Sequence, residues 1–225
     1  MRVRTVLAGC FVGLATAAPA TAAEPQPYQL EVGPTFTYVK RSAKSDGSGV
    51  EYAAGTGPGL QLRAGFLPWL RVAARYQQTS HDASFSPGAL GIASSLTSGS
   101  MVVDTLGAYL QPTFTPVSRL HTWASAGLAW SHVSMPNIDT GDGAHLRHRT
   151  GVFQEWSLGV GASFDVLPGW VALSLDLQWA KPVSETGDLF SPDVYYDAQG
   201  TARAVPSFPT FATSLGAMFG VMLTL

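Results

Sequence analysis

Residues 170–182 read WVALSLDLQWAKP. Taken in steps of two, the stretch separates into Val171, Leu173, Leu175, Leu177 and Trp179 on one side, and Ala172, Ser174, Asp176 and Gln178 on the other. A period of two belongs to the β-strand, whose successive side chains point to opposite faces. The segment is therefore expected to be a strand with one apolar and one polar face. Where the apolar face looks decides the fold. In a soluble sheet it looks inward; in a membrane barrel it looks outward, into lipid.

The same alternation recurs along the chain. Residues 28–38 set Tyr28, Leu30, Val32, Pro34, Phe36 and Tyr38 against Gln29, Glu31, Gly33, Thr35 and Thr37. Further segments carry Leu60, Leu62, Ala64 and Phe66; Leu70, Val72, Ala74 and Tyr76; Leu106, Ala108, Leu110, Pro112 and Phe114; and Leu120, Ala124, Ala126, Leu128 and Trp130. Trp156, Leu158, Val160, Ala162 and Phe164 follow, then the opening stretch, then Leu215 to Leu225 in the last segment. Eight strands are expected. Asp104 stands on the apolar parity, and Trp123 and Met218 on the polar one. Pro34 and Pro112 share the repeated tetrapeptide PTFT and read as bulges or irregularities, because proline cannot donate to a strand ladder.

Connection lengths supply an independent signal. Only LPW, TPVSR and LPG separate segments two and three, four and five, and six and seven. The remaining connections, roughly 40–53, 80–100, 134–150 and 182–208, are long. Short and long links alternate, as tight periplasmic turns and long extracellular loops do in a transmembrane β-barrel. Charge agrees: charged residues make up 12% of the chain, against about 25% in ordinary soluble domains. The polar faces are rich in Gly, Ser, Ala and Thr, and the only lysines are Lys40, Lys44 and Lys181. Such faces make a poor solvated surface and a good filling for a narrow eight-stranded barrel. A soluble lipocalin-like binder, which would cover its outside with charge, is disfavoured.

The N-terminus reads as a secretory leader: Arg2 and Arg4, an apolar run from Thr5, and small residues ending at Ala23. Cys10, the chain's one cysteine, falls within it, so no disulfide is expected in residues 24–225. The leader takes two of the 13 basic residues, leaving 11 against 15 acidic ones. An acidic balance without a basic, aromatic-interleaved stripe excludes nucleic acid as a partner. No later apolar run is long enough for a transmembrane helix.

With this architecture over residues 24–225, the chain resembles the small eight-stranded outer-membrane proteins of the OmpA transmembrane domain, OmpX and OmpW type. The resemblance implies a closed all-β, antiparallel up-and-down barrel in the outer membrane of a Gram-negative bacterium. Its partners would be outer-membrane lipid and lipopolysaccharide, the barrel-assembly machinery during insertion, and an extracellular loop partner. The C-terminal LGAMFGVMLTL is similar to the strand that the assembly machinery recognises, but ends in Leu225 where an aromatic is usual.

Parity assigns Glu31, Arg63, Arg71, Arg75, Glu155, Asp165 and Asp176 to the lumen. Charges there must be paired, so these residues are expected to form a polar network that fills the barrel. The rival role is a gate or narrow path for small or hydrophobic solutes. Tyr28, Phe66, Phe114 and Phe164 at the short-turn side, and Tyr38, Tyr76, Trp130 and Trp179 at the long-loop side, are expected to form two aromatic girdles. His132 and Ser134 in WSHVS share a face, a spacing similar to that of the outer-membrane lipid A deacylases. In that reading His132 would activate Ser134. Loop three supplies Asn137, Asp139, Asp142, His145 and His148, a weak match to metal-ligand patterns. Loop four gathers Glu185, Asp188, Asp193 and Asp197 around Phe190, Tyr195 and Tyr196, aromatics that either bind a partner or pack over the barrel mouth. No catalytic residue, metal or cofactor is assigned. The expected role is structural or interactive, carried by the loops.

Overall fold

The structure is a computed structural model, and it describes residues 29–44, 49–89, 96–97, 100–139, 145–196, 199–205 and 207–225. The proposed leader and Tyr28 lie outside these residues. Along the chain run β1 (Leu30–Ala43), β2 (Val50–Tyr52), β3 (Gly55–Leu67), β4 (Leu70–His81), β5 (Ala83–Phe85), β6 (Leu96–Thr97), β7 (Met101–Val117) and β8 (Leu120–Met135). They are followed by β9 (Ile138–Asp139), β10 (His145–Leu146), β11 (Arg149–Leu167), β12 (Val171–Thr186), β13 (Asp193–Tyr196), β14 (Ala202–Val205) and β15 (Phe211–Thr224).

Eight of these close into one antiparallel barrel in the order β1-β15-β12-β11-β8-β7-β4-β3. These are the eight segments expected from alternation, joined as the short and long links require. The small strands form β2-β5-β6, β9-β10 and β13-β14, all in the long connections. Among the described residues no helix is long and apolar enough to cross a membrane.

Leu173 and Leu177 are 52% and 50% exposed, whereas Asp176 between them is 2% exposed. The apolar face of the opening stretch therefore looks out of the barrel. Leu60, Leu106, Leu110, Leu128, Leu158, Phe219 and Val221 do the same on other strands. A belt of this kind, left open to water, would be a very large apolar patch for a soluble protein; in hydrocarbon it is the solvated surface.

Pro34 and Pro112 are not bulges. Pairing skips Gly33–Pro34 toward β15 and Gln111–Pro112 toward β8, and the register resumes unchanged on the far side. Each proline simply lacks the donor that its ladder would use. Register shifts fall instead at the three short turns, near Gly65/Leu67, Phe114/Val117 and Asp165/Leu167, and in the upper wall at Ser42/Ala43 and Gln154/Glu155.

The strands run past the expected ends on the long-loop side, raising a collar above the girdle. There the faces exchange character. Val103, Val133, Met101, Met135, Phe153 and Phe211 point inward and are fully buried or nearly so, while Lys40, Gln78, His132, Gln154 and Lys181 point outward and are exposed. With loop residues Tyr52, Phe85, Ile138, Leu146, Leu189 and Phe208, the inward set forms one apolar core across the extracellular mouth. Water surrounds the collar, so the ordinary rule of apolar inside returns where the lipid ends.

Candidate functional site: the layered lumen and its collar

The lumen is filled in layers. At its centre Asp176 of β12 accepts from Arg63 Nη2 at 3.0 Å, Arg75 Nη2 at 2.7 Å and Trp123 Nε1 at 2.8 Å. Arg63 also meets Glu31 at 3.4 Å and Gln61 Oε1 at 3.2 Å, and Arg71 pairs with Glu31 at 3.0 Å. The guanidinium of Arg63 lies 4.2 Å from the Trp123 ring centre, and that of Arg75 lies 4.6 Å from the Tyr109 ring centre. Trp123, on the polar parity, is thus part of the network: its indole N–H reaches the carboxylate and its ring faces a cation. A Cβ on Gly161 would strike the Trp123 ring, so glycine on the facing strand makes the notch that holds it.

The seven residues assigned to the lumen all point inward but do not form one cluster. Glu31, Arg63, Arg71, Arg75 and Asp176 come together. Glu155 sits in a second layer above, where Arg41 Nη1 approaches it at 3.4 Å. Asp165 lies at the periplasmic rim, paired with His121 Nε2 at 3.0 Å and partly exposed. Between the central and upper layers is a cavity of about 20 Å³ lined by Thr37, Arg41, Glu155, Asp176, Gln178 and Ser214, room for one water molecule.

Arg41 and His121 were missed from sequence. Arg41 lies past the expected end of the first strand, although its odd number already matched the lumen parity of Glu31. His121 had the right parity and lacked only a partner across the sheet. Arg41 joins the ionic and apolar layers, stacking 5.1 Å from the Phe153 ring centre and 5.4 Å from that of Phe211. Arg149, also buried, stacks 5.7 Å from Phe208. His81, in the collar, lies beside Ala53 O at 3.1 Å and Thr79 Oγ1 at 3.0 Å. Burial, reinforced by the charge of Arg41, lowers its pKa to about 4.

Of the girdle residues, Tyr38, Phe66, Tyr76, Phe114, Trp130 and Phe164 are exposed on the outer face. Trp179 is half-buried, edge-on to Trp156 with ring centres 4.9 Å apart. Trp69 and Trp170, in the short turns, extend the periplasmic ring. Asp104 is accounted for by its height: it lies outside, where it accepts from the Tyr76 hydroxyl at 2.7 Å and Gln78 Nε2 at 2.9 Å.

The pairing of His132 with Ser134 that the deacylase-like alternative requires is not the one formed. Ser134 Oγ lies 2.8 Å from His148 Nε2, while His132 stands on the same outer face across from Asp104. Among the described residues no carboxylate reaches His148, whose own amide N–H donates to Asn137 Oδ1. In loop three, Asp142 and the His145 side chain lie outside the described residues, and among those described no three metal-ligating side chains converge. In loop four, Asp188 caps Thr150 N at 2.8 Å and Phe190 packs on the apolar core, so both serve the mouth. Val194 and Tyr196 are 52% and 68% exposed on the β13–β14 hairpin. Asp197 and the side chains of Asp193 and Tyr195 lie outside the described residues.

No protein-family model matches the sequence, and no curated protein matches it either. Solved structures do match. Neisserial surface protein A (NspA) superposes with a TM-score of 0.54 at 17% identity, over 87% of this chain and 97% of that one. A major outer membrane protein from Thermus thermophilus gives 0.55 at 15% identity, over 88% and 99%. Outer membrane protein OprG from Pseudomonas aeruginosa gives 0.50 at 11% identity, over 89% and 97%. Identities this low speak for architecture alone. With its lipid-facing belt and paired girdles, the chain has the fold of the small eight-stranded outer-membrane β-barrels.

Proposed function

We propose that this protein is a closed outer-membrane barrel whose role is structural and interactive, performed by the loop platform above the collar. The supporting observation is the covered mouth: an apolar core drawn from all four long connections lies over two layers of buried ion pairs. Each long connection is tied into that core, and three small sheets grow from it. A rigid base with loop segments tied to it suits recognition. The exposed Val194 and Tyr196 of β13 offer an apolar contact.

The rival role of a solute channel requires a continuous aqueous path. Purified protein reconstituted in planar bilayers is therefore expected to show no discrete conductance steps. Steady single-channel steps would replace this reading with the channel. The platform itself is tested by Val194→Asp with Tyr196→Asp in cells displaying the protein. Adherence to surfaces or neighbouring cells should fall, with the folded barrel retained; unchanged adherence would remove the hairpin from the interactive role.

A further inference from the structure

At the periplasmic end of the barrel three polar side chains stand in a row. The Thr115 hydroxyl lies 3.2 Å from Nδ1 of His121, and Nε2 of the same ring lies 3.0 Å from Oδ2 of Asp165. They come from three neighbouring strands: Thr115 from the end of β7, His121 from the start of β8 and Asp165 from near the end of β11. An ionised carboxylate only accepts, so in the neutral imidazole Nε2 carries the proton and Nδ1 presents its lone pair to the Thr115 O–H. In that tautomer an imidazole can take a proton from a hydroxyl while a carboxylate orients it. The contact of Ser134 with His148, at the opposite end of the barrel, has the hydroxyl and the ring but, among the described residues, no carboxylate.

The local fold holds this row and leaves it reachable. The ladder between β7 and β8 slips between Phe114 and Val117. Such a slip re-aims a side chain, and slips of this kind gather at barrel rims and beside active sites. Thr113, before the slip, is buried in the lumen; Thr115, of the same parity, is exposed and turned to His121. The Asp165 amide N–H donates to Arg119 O at 2.9 Å, tying the end of β11 to the turn between β7 and β8. The side chains of His121 and Asp165 are 22% and 21% exposed, held in place yet open to the periplasm. On its other side β7 has outrun its neighbour: among the described residues the ladder to β4 stops at the Leu70–Pro112 pair, followed by Thr113 N–H on Trp69 O. Backbone N–H groups along an edge without a ladder are the donors that a developing oxyanion needs.

From this row we infer that the periplasmic rim is a hydrolytic site for short-chain carboxylic esters, with Thr115 as nucleophile, His121 as general base and Asp165 as the residue that positions the base. The Thr115 oxygen attacks the ester carbonyl as His121 Nδ1 takes its proton. The tetrahedral intermediate collapses, the bond to the alcohol oxygen breaks, and the proton on His121 leaves with the alcohol. A water molecule, deprotonated by the same nitrogen, then attacks the acyl-threonine. The bond between acyl group and Thr115 breaks, the proton returns to Thr115 and the carboxylic acid departs. The surroundings limit the size of the acyl group. His121 and Asp165 have lumen parity, so they face away from the bilayer. Trp123, two residues above His121, reaches to Asp176 and fills the lumen there, leaving no depth for a long chain. The site stands at the other end of the barrel from the loop platform and is independent of it.

The full-length protein, folded in detergent, is given p-nitrophenyl acetate. Turnover above the detergent blank is expected, and protein quenched in acid during turnover should carry an acetyl group on Thr115 by peptide mapping. That arm needs no variant to fold. Thr115→Val and His121→Ala should each lower turnover about a hundredfold, and Thr115→Ser should retain it. Asp165→Asn should lower kcat about tenfold with KM unchanged, a split that a merely structural role would not produce. Ser134→Ala, which removes the other hydroxyl beside a histidine, should leave turnover as in the parent. Every variant is first checked for the gel shift on boiling. No turnover by the parent, acetyl on another residue, undiminished turnover in Thr115→Val, or loss in Ser134→Ala would overturn the site. Faster turnover of p-nitrophenyl palmitate than of the acetate would overturn the substrate class.

Discussion

Asp176 satisfies two guanidinium groups and an indole N–H with one carboxylate, almost wholly shielded from bulk solvent. Removing it leaves buried Arg75 without a counter-charge and Arg63 with only its longer contact to Glu31, and losing the partner of a buried charge typically costs about 3–5 kcal/mol. Asp176→Ala should therefore lower the urea midpoint of the folded gel band sharply. Asp165→Ala, at the partly exposed rim beside His121, should cost about 1 kcal/mol or less. Equal losses would mean that the central layer holds no special share of the stability. His81 makes a second residue-scale case. Its pKa is depressed to about 4 in the fold, so between the ordinary value and pH 4 the unfolded chain binds a proton that the folded chain refuses. Stability is then full above pH 6.5 and falls as pH drops toward 4, by roughly 3 kcal/mol. Hydrogen-exchange protection at β2 and β5, referred to the intrinsic amide rate at each pH, should fall over that window in the parent and much less in His81→Gln.

At the scale of strands, two rules operate on one continuous pleat. Within lipid the outward positions are apolar; above it the inward ones are. Phe211 shows what the upper rule holds together, with its ring centre 4.9 Å from Tyr52, 5.1 Å from Phe153 and 6.4 Å from Phe190. Phe211→Ala should cost about 3–5 kcal/mol of cap stability. Amide exchange should rise in β2 and around residues 188–190 while the boiling-dependent gel shift persists. If the shift is lost as well, cap and barrel unfold as one unit. The same change of rule explains which parts of the fold were legible in the sequence. Parity and loop length identified all eight membrane strands, because lipid imposes one sign of alternation on each. Strand ends were not legible: Val103, Val133 and Phe153 continue the pleat with the opposite sign, outside the alternation that marked the strands. Lumen membership followed from number parity alone, as for Glu155. Its partner Arg41 required knowing that β1 continued past Tyr38, and the pairing of Ser134 with His148 required the path of a long connection.

On the scale of the whole molecule, the lumen is closed twice over, by layers of different physics. The lower is electrostatic, with Arg63, Arg75, Asp176 and Glu31 filling the cross-section of a barrel whose interior just accommodates side chains. The upper is apolar and excludes water by packing. Barriers in series have a simple consequence: opening one leaves the path blocked by the other. Phe211→Ala, which loosens only the cap, should remain silent in planar bilayers. Arg63→Ala paired with Asp176→Ala, which empties the central layer of two opposite charges together, should also remain silent so long as the cap is intact. Only the triple combination joins an open mouth to a widened middle, and it alone should show conductance. Conductance from the cap variant by itself would show that the ion layer already passes ions, and that the extracellular core is the sole gate.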